Sequence, residues 1–245
     1  MACMFCPQSR KSCKGCGAKV CAKHSASNGC CVPCLERVAA AAAEGRITTQ
    51  EEDDAIEAVG GDRAALYGEI TPVGVRSLAA RLQLSHTDQF ADLGSGLGRA
   101  CFQAVEEYNV ARSVGVEMAG SRHHLAEEAL EREHQAIKQR VHLVQGDCAE
   151  PALWAVPGGP MAGVTVVFMG SLMFSAELMH RLAQLAGQSS TIRAVATLKR
   201  FGEDACGNLH IEEPAEICET SWTIPSSIGE GSGEDGTPVF IYTRR

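Results

Sequence analysis

The stretch ADLGSGLGRA, residues 91–100, decides the fold of this 245-residue chain. An apolar run leads directly into three glycines at alternate positions, Gly94, Gly96 and Gly98, and a helical pattern follows. A strand that turns sharply into a helix through glycines is typical of cofactor-binding α/β folds. Three alternating glycines also cost backbone entropy that a plain turn does not require. The stretch therefore predicts a ligand-binding turn at the carboxyl end of a first strand.

Strand and helix patterns alternate around this turn. A helix, TPVGVRSLAARLQL, is predicted before the first strand, QFADLG. The later predicted strands are SVGVEM, VHLVQGD, VTVVFMG, TIRAVATLK, AEICETSWTI and TPVFIYTRR, and the helices between them are GRACFQAVEEYN, SRHHLAEEALEREHQAIKQR and SAELMHRLAQLA. Such alternation indicates an α/β fold with a mostly parallel, seven-stranded sheet and helices on both faces. Ligands of these sheets bind at the carboxyl ends of the strands.

Acidic residues at three successive strand ends indicate which cofactor the turn holds. A carboxylate at Asp92 would repel a pyrophosphate by about 4 kcal/mol at ~4 Å, for an effective dielectric constant near 20. S-adenosylmethionine carries an ammonium and a sulfonium instead, so Asp92 favours that cofactor over NAD or FAD. Glu117 ends the second strand and can accept both ribose hydroxyls. Asp147 ends the third strand and can accept the adenine amino hydrogens.

Composition divides the chain into three parts. Residues 1–34 hold eight of the twelve cysteines, five basic residues and no acidic one, whereas residues 35–245 hold 17 basic and 30 acidic residues. Residues 35–66 have the pattern of a helical connector, because LERVAAAAAEG is rich in helix formers and Thr49 with Glu52 forms a capping-box pattern. We predict a cysteine-rich module at 1–34, a connector at 35–66 and a cofactor-binding domain at 67–245.

The cysteine-rich module has the spacing of a double zinc site. Two-residue spacers place two donors on one tetrahedral ion, so eight ligands predict two structural zinc ions, with Cys30 left over. The candidate ligands are Cys3 and Cys6, Cys13 and Cys16, Cys21 and His24, and Cys31 and Cys34. A disulfide framework is the alternative, which a reducing compartment disfavours. The spacing leaves open whether the pairs join sequentially or in a cross-brace.

The sequence predicts neither a secreted nor a membrane protein. No run approaches the roughly 20 apolar residues that span a bilayer, and the first residues lack the apolar core of a secretory signal. We therefore expect an intracellular chain with no membrane partner. The basic side chains of residues 1–34 are a candidate surface for weak contact with nucleic acid. Phe5 is the only aromatic residue in that module, so base stacking is not supported.

Several motifs in the domain resemble one family. YGEITP, FADLGSGLGRA, GVEMAG, GDCAEPALW, TVVFMGSLMFSAEL and SWT…TPVFIY, across residues 67–245, are similar to the disruptor-of-telomeric-silencing (Dot-one-like) family of non-SET, class I histone lysine methyltransferases. The resemblance implies a class I methyltransferase (Rossmann-like) fold and methyl transfer from S-adenosylmethionine to a lysine amine. It also implies a protein substrate, with histone or nucleosome as the candidate, and a nuclear location. Without the resemblance the expected location is cytoplasmic.

The resemblance also implies roles for individual residues. Tyr67, Glu69 and Thr71 would lie in a loop that closes over the methionine moiety, and Asp92, Gly94 and Gly96 would hold its amino-acid end. Glu117 would bind the ribose and Asp147 the adenine, with Cys148 where the family has an aromatic residue. Trp222 and Tyr242 would wall the lysine channel. Ser171, with Gly170, stands where the family has paired asparagines, and its hydroxyl would lie near the reactive methyl group.

Two alternative functions remain open. The first is a class I methyltransferase that acts on a non-histone protein or a small molecule. The second is a zinc-dependent adaptor whose catalysis is weak or lost, which the pair Gly170 and Ser171 suggests. Methyl transfer itself requires alignment and exclusion of water rather than a metal or a dedicated base. An apolar channel assists it by disfavouring the charged form of the substrate lysine.

Overall fold

The computed structural model of the chain describes residues 11–12, 19–20, 43–155, 157–202, 206–218, 220 and 236–244. The eight candidate zinc ligands and Trp222 lie outside these described residues, so the structure does not test them. Before residue 43 the description covers two short strands, Lys11–Ser12 and Lys19–Val20, which pair antiparallel.

The larger sheet confirms the predicted α/β fold. Its strands in the described part of the chain are β1 Gln89–Leu93, β2 Arg112–Glu117, β3 Val141–Gln145, β4 Val166–Met169, β5 Ala194–Thr197, β6 Leu209–Cys218 and β7 Thr237–Arg244. They lie in the order β3-β2-β1-β4-β5-β7-β6. The first five strands are parallel, whereas β7 runs antiparallel to both β5 and β6. The sheet is thus seven-stranded and mostly parallel.

Helices connect the strands. They are α1 Gln50–Gly60, α2 Pro72–Leu82, α3 Arg99–Tyr108, α4 Gly120–Arg132, α5 Gln135–Lys138, α6 Pro151–Ala155 and α7 Ala176–Gln188, with a 3-10 turn at Ser171–Met173. The predicted capping box of Thr49 and Glu52 is present at the start of α1. Thr71 caps α2 by accepting a hydrogen bond from the Gly74 amide at 3.2 Å. Within the described residues, no helix combines the length and apolarity needed to cross a bilayer.

The core lies in two layers, one on each face of the sheet. Successive strand residues point to opposite faces, so Leu93 packs in the layer that contains α7, while Phe90 packs in the layer that contains α2 and α3. Both residues are at most 3 % exposed. The carboxyl ends of β1, β2 and β4 remain between these layers and form one edge, which is where the glycine turn begins.

Two predicted elements differ from the structure. The helix predicted over SRHHLAEEALEREHQAIKQR is two helices, because Glu133 has an extended backbone with ψ of 162°. That break turns the chain so that Ile137 is buried in the core. The sixth strand begins at Leu209, earlier than the predicted AEICETSWTI. Pro214 and several acidic residues made the first part of this strand look unlike a strand in the sequence. The strand lies at the edge of the sheet, where both kinds of residue are tolerated.

Candidate cofactor-binding site

The glycine turn folds against the end of β2. Gly94, Gly96 and Gly98 have φ of 79°, 52° and 74°, a region that favours glycine. The amides of Gly94 and Ser95 both donate to the Val116 carbonyl, at 2.8 and 3.0 Å. A Cβ atom at Gly96 would lie 2.5 Å from the Tyr67 hydroxyl oxygen. The glycines are therefore required both by the turn and by the close approach of Tyr67.

Glu117 lies at the end of β2, where the turn meets it. Its side chain is buried, and its two oxygens accept hydrogen bonds from the Gly96 amide at 2.8 Å and the Ala119 amide at 2.9 Å. The Arg122 guanidinium lies 3.8 Å from the same carboxylate. Glu117 is thus held rigidly next to the glycine turn, as expected for a ligand-binding carboxylate.

Asp92 is a buried carboxylate with spare hydrogen-bonding capacity. It is 5 % exposed, and its Oδ1 has no hydrogen-bond partner among the described residues. Burial, together with the nearby charges of Glu117 and Glu69, raises the pKa of Asp92 well above its usual range. An unpaired buried oxygen is costly for the free protein, and a cationic donor would relieve that cost. Asp92 therefore fits the ammonium end of an amino-acid cofactor.

Tyr67 and Glu69 form a linked pair over the glycine turn. The Tyr67 hydroxyl donates to the Glu69 carboxylate and accepts a hydrogen bond from the Leu97 amide at 3.4 Å. Burial raises the pKa of Glu69, although the bond from Tyr67 and the charge of Arg99 act in the opposite direction. The same hydroxyl thus ties the segment before α2 to the turn that follows β1.

Asp147 and Cys148 follow the end of β3. The Asp147 carboxylate accepts from the Ala149 amide at 2.8 Å and lies 3.5 Å from the Arg181 guanidinium. Burial, with the charges of Asp147 and Glu117, raises the pKa of Cys148 to about 12. The thiol therefore stays protonated at neutral pH and acts as a small apolar wall rather than as a nucleophile.

These residues surround two adjoining clefts. The larger is an open cleft of about 680 Å³, lined by Tyr67, Gly94, Glu117, Asp147 and Cys148 among others. The smaller, of about 360 Å³, is lined by Glu69, Asp92 and Gly96 and shares Tyr67 and Gly94 with the first. The structure thus brings together all but Thr71 of the nine predicted cofactor residues.

Three other predicted residues lie elsewhere. Thr71 serves as the helix cap described above. Ser171 is fully buried, with its hydroxyl hydrogen-bonded to that of Thr197. The Tyr242 hydroxyl accepts from the Phe201 amide at 2.9 Å, and its ring packs in the core. Neither side chain is among those that line the two clefts. The proposed catalytic roles of Ser171 and Tyr242 gain no support from this geometry.

The sequence interpretation missed one wall of the larger cleft. Ile56, Val59, Ala64 and Leu66, from the segment predicted as a connector, line it. So does Arg122. The i, i+3 spacing of Ile56 and Val59 marks an apolar helix face, which was the available signal. Arg122 is a single arginine in a helix rich in charged residues, so the sequence contained no signal for its position in the cleft.

The strand order 3-2-1-4-5-7-6, with strand 7 antiparallel and a glycine turn after strand 1, defines the class I methyltransferase fold. A family model, "Histone methylation protein DOT1", matches residues 61–221, which is more than half of the chain. The chain therefore belongs to the DOT1 family. A search of curated proteins found no match.

Solved structures with a similar fold include three that contain cofactor products or other ligands. An RNA methyltransferase from Salinibacter ruber, in complex with S-adenosyl-L-homocysteine, is 19 % identical over 71 % of this chain and 90 % of that chain, with a TM-score of 0.45. TrmK from M. capricolum, in complex with S-adenosyl-homocysteine, is 10 % identical over 69 % and 67 %, with a TM-score of 0.48. MtNAS, in complex with MTA and tNA, is 11 % identical over 70 % of this chain and only 58 % of its own length, with a TM-score of 0.46. At such scores no substrate is carried over to this chain.

Proposed function

We propose that this chain transfers a methyl group from S-adenosylmethionine to a lysine amine of a histone. The observation that carries the proposal is the unpaired Oδ1 of buried Asp92 beside the glycine turn, in a chain of the DOT1 family. S-adenosylmethionine supplies a methyl group activated on a sulfonium. The remaining requirements, which are alignment and exclusion of water, fall to the residues of the chain.

Different parts of the cofactor would bind in the two clefts. Asp92 would hold the ammonium end in the smaller cleft, which Gly94 and Gly96 also line. Glu117 would accept from the ribose, and Asp147 would accept from the adenine amino group, with Cys148 as an apolar wall. The Tyr67 and Glu69 pair would close the loop over the methionine moiety. Thr71 would act indirectly, since its hydroxyl fixes the start of α2 directly after that loop.

The lysine would enter beside the Tyr67 loop. Thr220, two residues before Trp222, forms an antiparallel bridge with Ile70 at the end of that loop. The motif SWT, which resembles the family, supports Trp222 as a wall of the lysine channel. An aromatic channel disfavours the ammonium form of lysine and so provides the neutral amine that attacks. Trp222 is therefore the catalytic residue of the proposal.

Charge supports a histone as the substrate. Residues 35–245 carry 30 acidic and 17 basic residues, a balance that attracts a basic protein tail and repels free nucleic acid. A histone substrate also places the protein in the nucleus. The two other functions, a different methyl acceptor or an inactive adaptor, become outcomes of the test below.

Labelled methyl transfer tests the proposal. Wild-type protein, Trp222→Ala and Glu117→Gln are incubated with labelled S-adenosylmethionine and with nucleosomes, free histones or cell lysate. We expect label on histone lysine with wild type, slow transfer but normal S-adenosylhomocysteine affinity with Trp222→Ala, and weak affinity with Glu117→Gln. Label on non-histone protein alone would refute the histone assignment. Folded wild-type protein that does not bind S-adenosylhomocysteine would refute both enzyme functions.

We further propose that residues 1–34 bind two structural zinc ions through the eight ligands predicted above. Their spacing supports this, and metal binding would supply on the order of 10 kcal/mol per site to a module with almost no apolar core. Within the described residues there is no cluster of His, Cys, Asp or Glu suited to a metal. The module would stand before the connector at 35–66 and the domain at 67–245, and its basic side chains would give it weak affinity for nucleic acid.

Metal analysis tests the zinc proposal. We expect about two zinc ions per chain for wild type and for Cys30→Ser, since Cys30 is outside the paired spacing. A double variant, Cys13→Ser with Cys16→Ser, should lose at least one ion. A metal-free wild-type chain, or equal loss in Cys30→Ser, would contradict the ligand assignment.

A further inference from the structure

Arg122 is a buried arginine that contacts three separate parts of the chain. Its side chain is 6 % exposed and lies in the first turn of α4. Nε donates to the Gly45 carbonyl at 2.7 Å and an Nη donates to the Ala65 carbonyl at 2.7 Å. The other Nη lies 3.8 Å from the Glu117 carboxylate. The guanidinium carbon lies 4.8 Å from the centre of the Tyr67 ring, which is a cation–π distance.

The two carbonyls belong to turns at either end of one segment, residues 43–67. Between them lies α1, with Ile56 and Val59 on the wall of the larger cleft, and after it come Ala64 and Leu66 on the same wall. Arg122 therefore holds both ends of this wall while it faces the carboxylate that would bind the ribose. The guanidinium of Arg122 therefore connects this wall to Glu117 at the end of β2.

The other anchors of the segment are polar. The Arg99 guanidinium lies 3.3 Å from the Glu44 carboxylate. The Glu52 carboxylate accepts from the Ser121 amide at 2.6 Å, and the Gly60 carbonyl accepts from the Ser175 amide at 2.6 Å. Of the described residues before α1, most are exposed, and Ile47 is 69 % exposed. Few buried apolar contacts and exposed backbone bonds characterise the segments that open most easily. The position of this wall therefore depends strongly on Arg122.

Arginine suits this position better than lysine. Its planar fork directs several N–H groups at once, so it can bind two carbonyls and still face Glu117, whereas an ammonium is a point charge without that geometry. The flat guanidinium also stacks on Tyr67, which lines both clefts.

We propose that Arg122 is a positioning residue that couples closure of residues 43–67 to occupation of the cofactor site. The proposal rests on the proposed function for the identity of the ligand. With Glu117 engaged by the ribose hydroxyls, Arg122 and the segment bound to it are fixed in the closed arrangement. Because coupling is reciprocal, loss of the arginine lowers the affinity for the ligand and also makes the segment more mobile.

Calorimetry and hydrogen exchange on the full chain test this coupling, with S-adenosylhomocysteine as the probe. The variants are Arg122→Met, which keeps length and removes every donor, Arg122→Lys, and the control Arg132→Met. Arg132 lies on the same helix and its side chain is 73 % exposed. We expect the dissociation constant to rise about 30-fold in Arg122→Met, within the usual range of coupling between sites. The dissociation constant of Arg122→Lys should lie between those of wild type and Arg122→Met. The dissociation constant of Arg132→Met should match that of wild type.

Hydrogen exchange separates positioning from general destabilisation. In wild type the ligand should slow exchange of the amides in residues 43–67. In Arg122→Met those amides should exchange faster and lose most of the response to ligand, while the amides of β1, β2 and β4 keep wild-type protection. Equal loss of protection in those strands, or wild-type affinity in Arg122→Met, would overturn the proposal. If wild type itself fails to bind the probe, the proposed function fails first and the coupling fails with it.

Discussion

At the scale of single residues, the site is organised by a cluster of three carboxylates, those of Asp92, Glu117 and Glu69. Burial of Asp92, together with the charges of Glu117 and Glu69, raises the pKa of Asp92. Such a cluster is unfavourable in the free protein and favourable once a cation enters. This is the physical reason why, in the proposed function, the glycine turn would favour a phosphate-free cofactor with a cationic group.

The raised pKa of Asp92 predicts a pH-dependent affinity. The ammonium group of the ligand favours the ionised carboxylate, so binding releases a proton wherever free Asp92 is protonated. Affinity for S-adenosylhomocysteine should therefore rise as the pH increases from about 4, the usual value for aspartate, through the raised pKa. Calorimetry between pH 5 and 8 measures this. Asp92→Asn should bind about tenfold or more weakly at pH 8.

The pH profile itself distinguishes Asp92 from the other acids. Asp92→Asn should flatten the profile, whereas Asp54→Asn, on the exposed face of α1, should leave it unchanged. A wild-type profile in Asp92→Asn would contradict the assignment of the titrating group to this carboxylate.

At the scale of elements, one carboxylate serves two helices. Glu52 accepts from the Thr49 amide at 2.9 Å, which caps α1, and from the Ser121 amide at 2.6 Å, which caps α4. α4 has no side-chain cap of its own from Ala119. Burial raises the pKa of Glu52, but the hydrogen bonds from Thr49 and Ser121 outweigh it, so that the pKa is lowered. Glu52 thus fixes α1 against the first turn of α4.

Removal of that carboxylate should destabilise both helix starts. We expect Glu52→Ala to lower the free energy of unfolding by about 1 kcal/mol, the usual value of a lost cap. Because the folded pKa is lowered, the contribution is present above about pH 4.3, the usual glutamate value, and is lost as the pH falls through the folded pKa. Urea unfolding at pH 7 and pH 3.5 checks both statements.

Glu51 provides a matched control for this prediction. It lies in the same first turn of α1, so Glu51→Ala removes the same charge near the helix start while leaving the Glu52 bonds in place. Equal destabilisation by the two variants would show that charge near the helix dipole, rather than the shared cap, accounts for the effect.

At the scale of the whole molecule, the two ends of the sheet have different tasks. The amino ends are joined by Asp88, which accepts from Arg193 at 2.8 and 2.9 Å and from the Thr165 hydroxyl at 2.8 Å. These bonds connect the starts of β1, β4 and β5. The carboxyl ends carry the open clefts. Stability and ligand binding are therefore separated along the strands.

This separation predicts a variant that changes stability alone. Asp88→Asn should lower the free energy of unfolding by about 1–2 kcal/mol, because it removes the charge of a buried carboxylate, although the partner Arg193 is 41 % exposed and water screens the pair in part. Affinity for S-adenosylhomocysteine should stay at the wild-type value. Burial raises the pKa of Asp88, but its bonds from Arg193 and Thr165 prevail and lower it. The stabilisation should accordingly be present above about pH 4 and disappear as the pH falls below it.

The exposed pair of Arg76 and Glu107 serves as the comparison. Its side chains are 35 % and 32 % exposed, so Glu107→Gln should cost less than about 1 kcal/mol in the same urea titration. The separation of stability from ligand binding would be refuted by either of two results. One is that Asp88→Asn lowers the free energy of unfolding no more than Glu107→Gln does. The other is that Asp88→Asn changes the affinity for S-adenosylhomocysteine.

Much of the fold follows from local patterns in the sequence. The strand patterns QFADLG, SVGVEM and TPVFIYTRR predicted β1, β2 and β7, and the capping box of Thr49 and Glu52 predicted the start of α1. The first half of β6, residues 209–214, was not predicted, because an edge strand with one face in solvent needs no continuous apolar run. The break at Glu133 escaped because it is imposed by burial of Ile137, a contact with distant parts of the chain.

By itself, the sequence determined the seven-stranded fold, the glycine turn and the carboxylates that point to S-adenosylmethionine. These depend on residue type and on short spacings, which the backbone converts directly into turns and strand ends. Only the tertiary structure decided that Ser171 and Tyr242 do not line the two clefts, that residues from 43–67 line the larger one, and that Arg122 is hydrogen-bonded to this segment. The direction of a buried side chain depends on segments far away in the chain, and local periodicity carries no record of them.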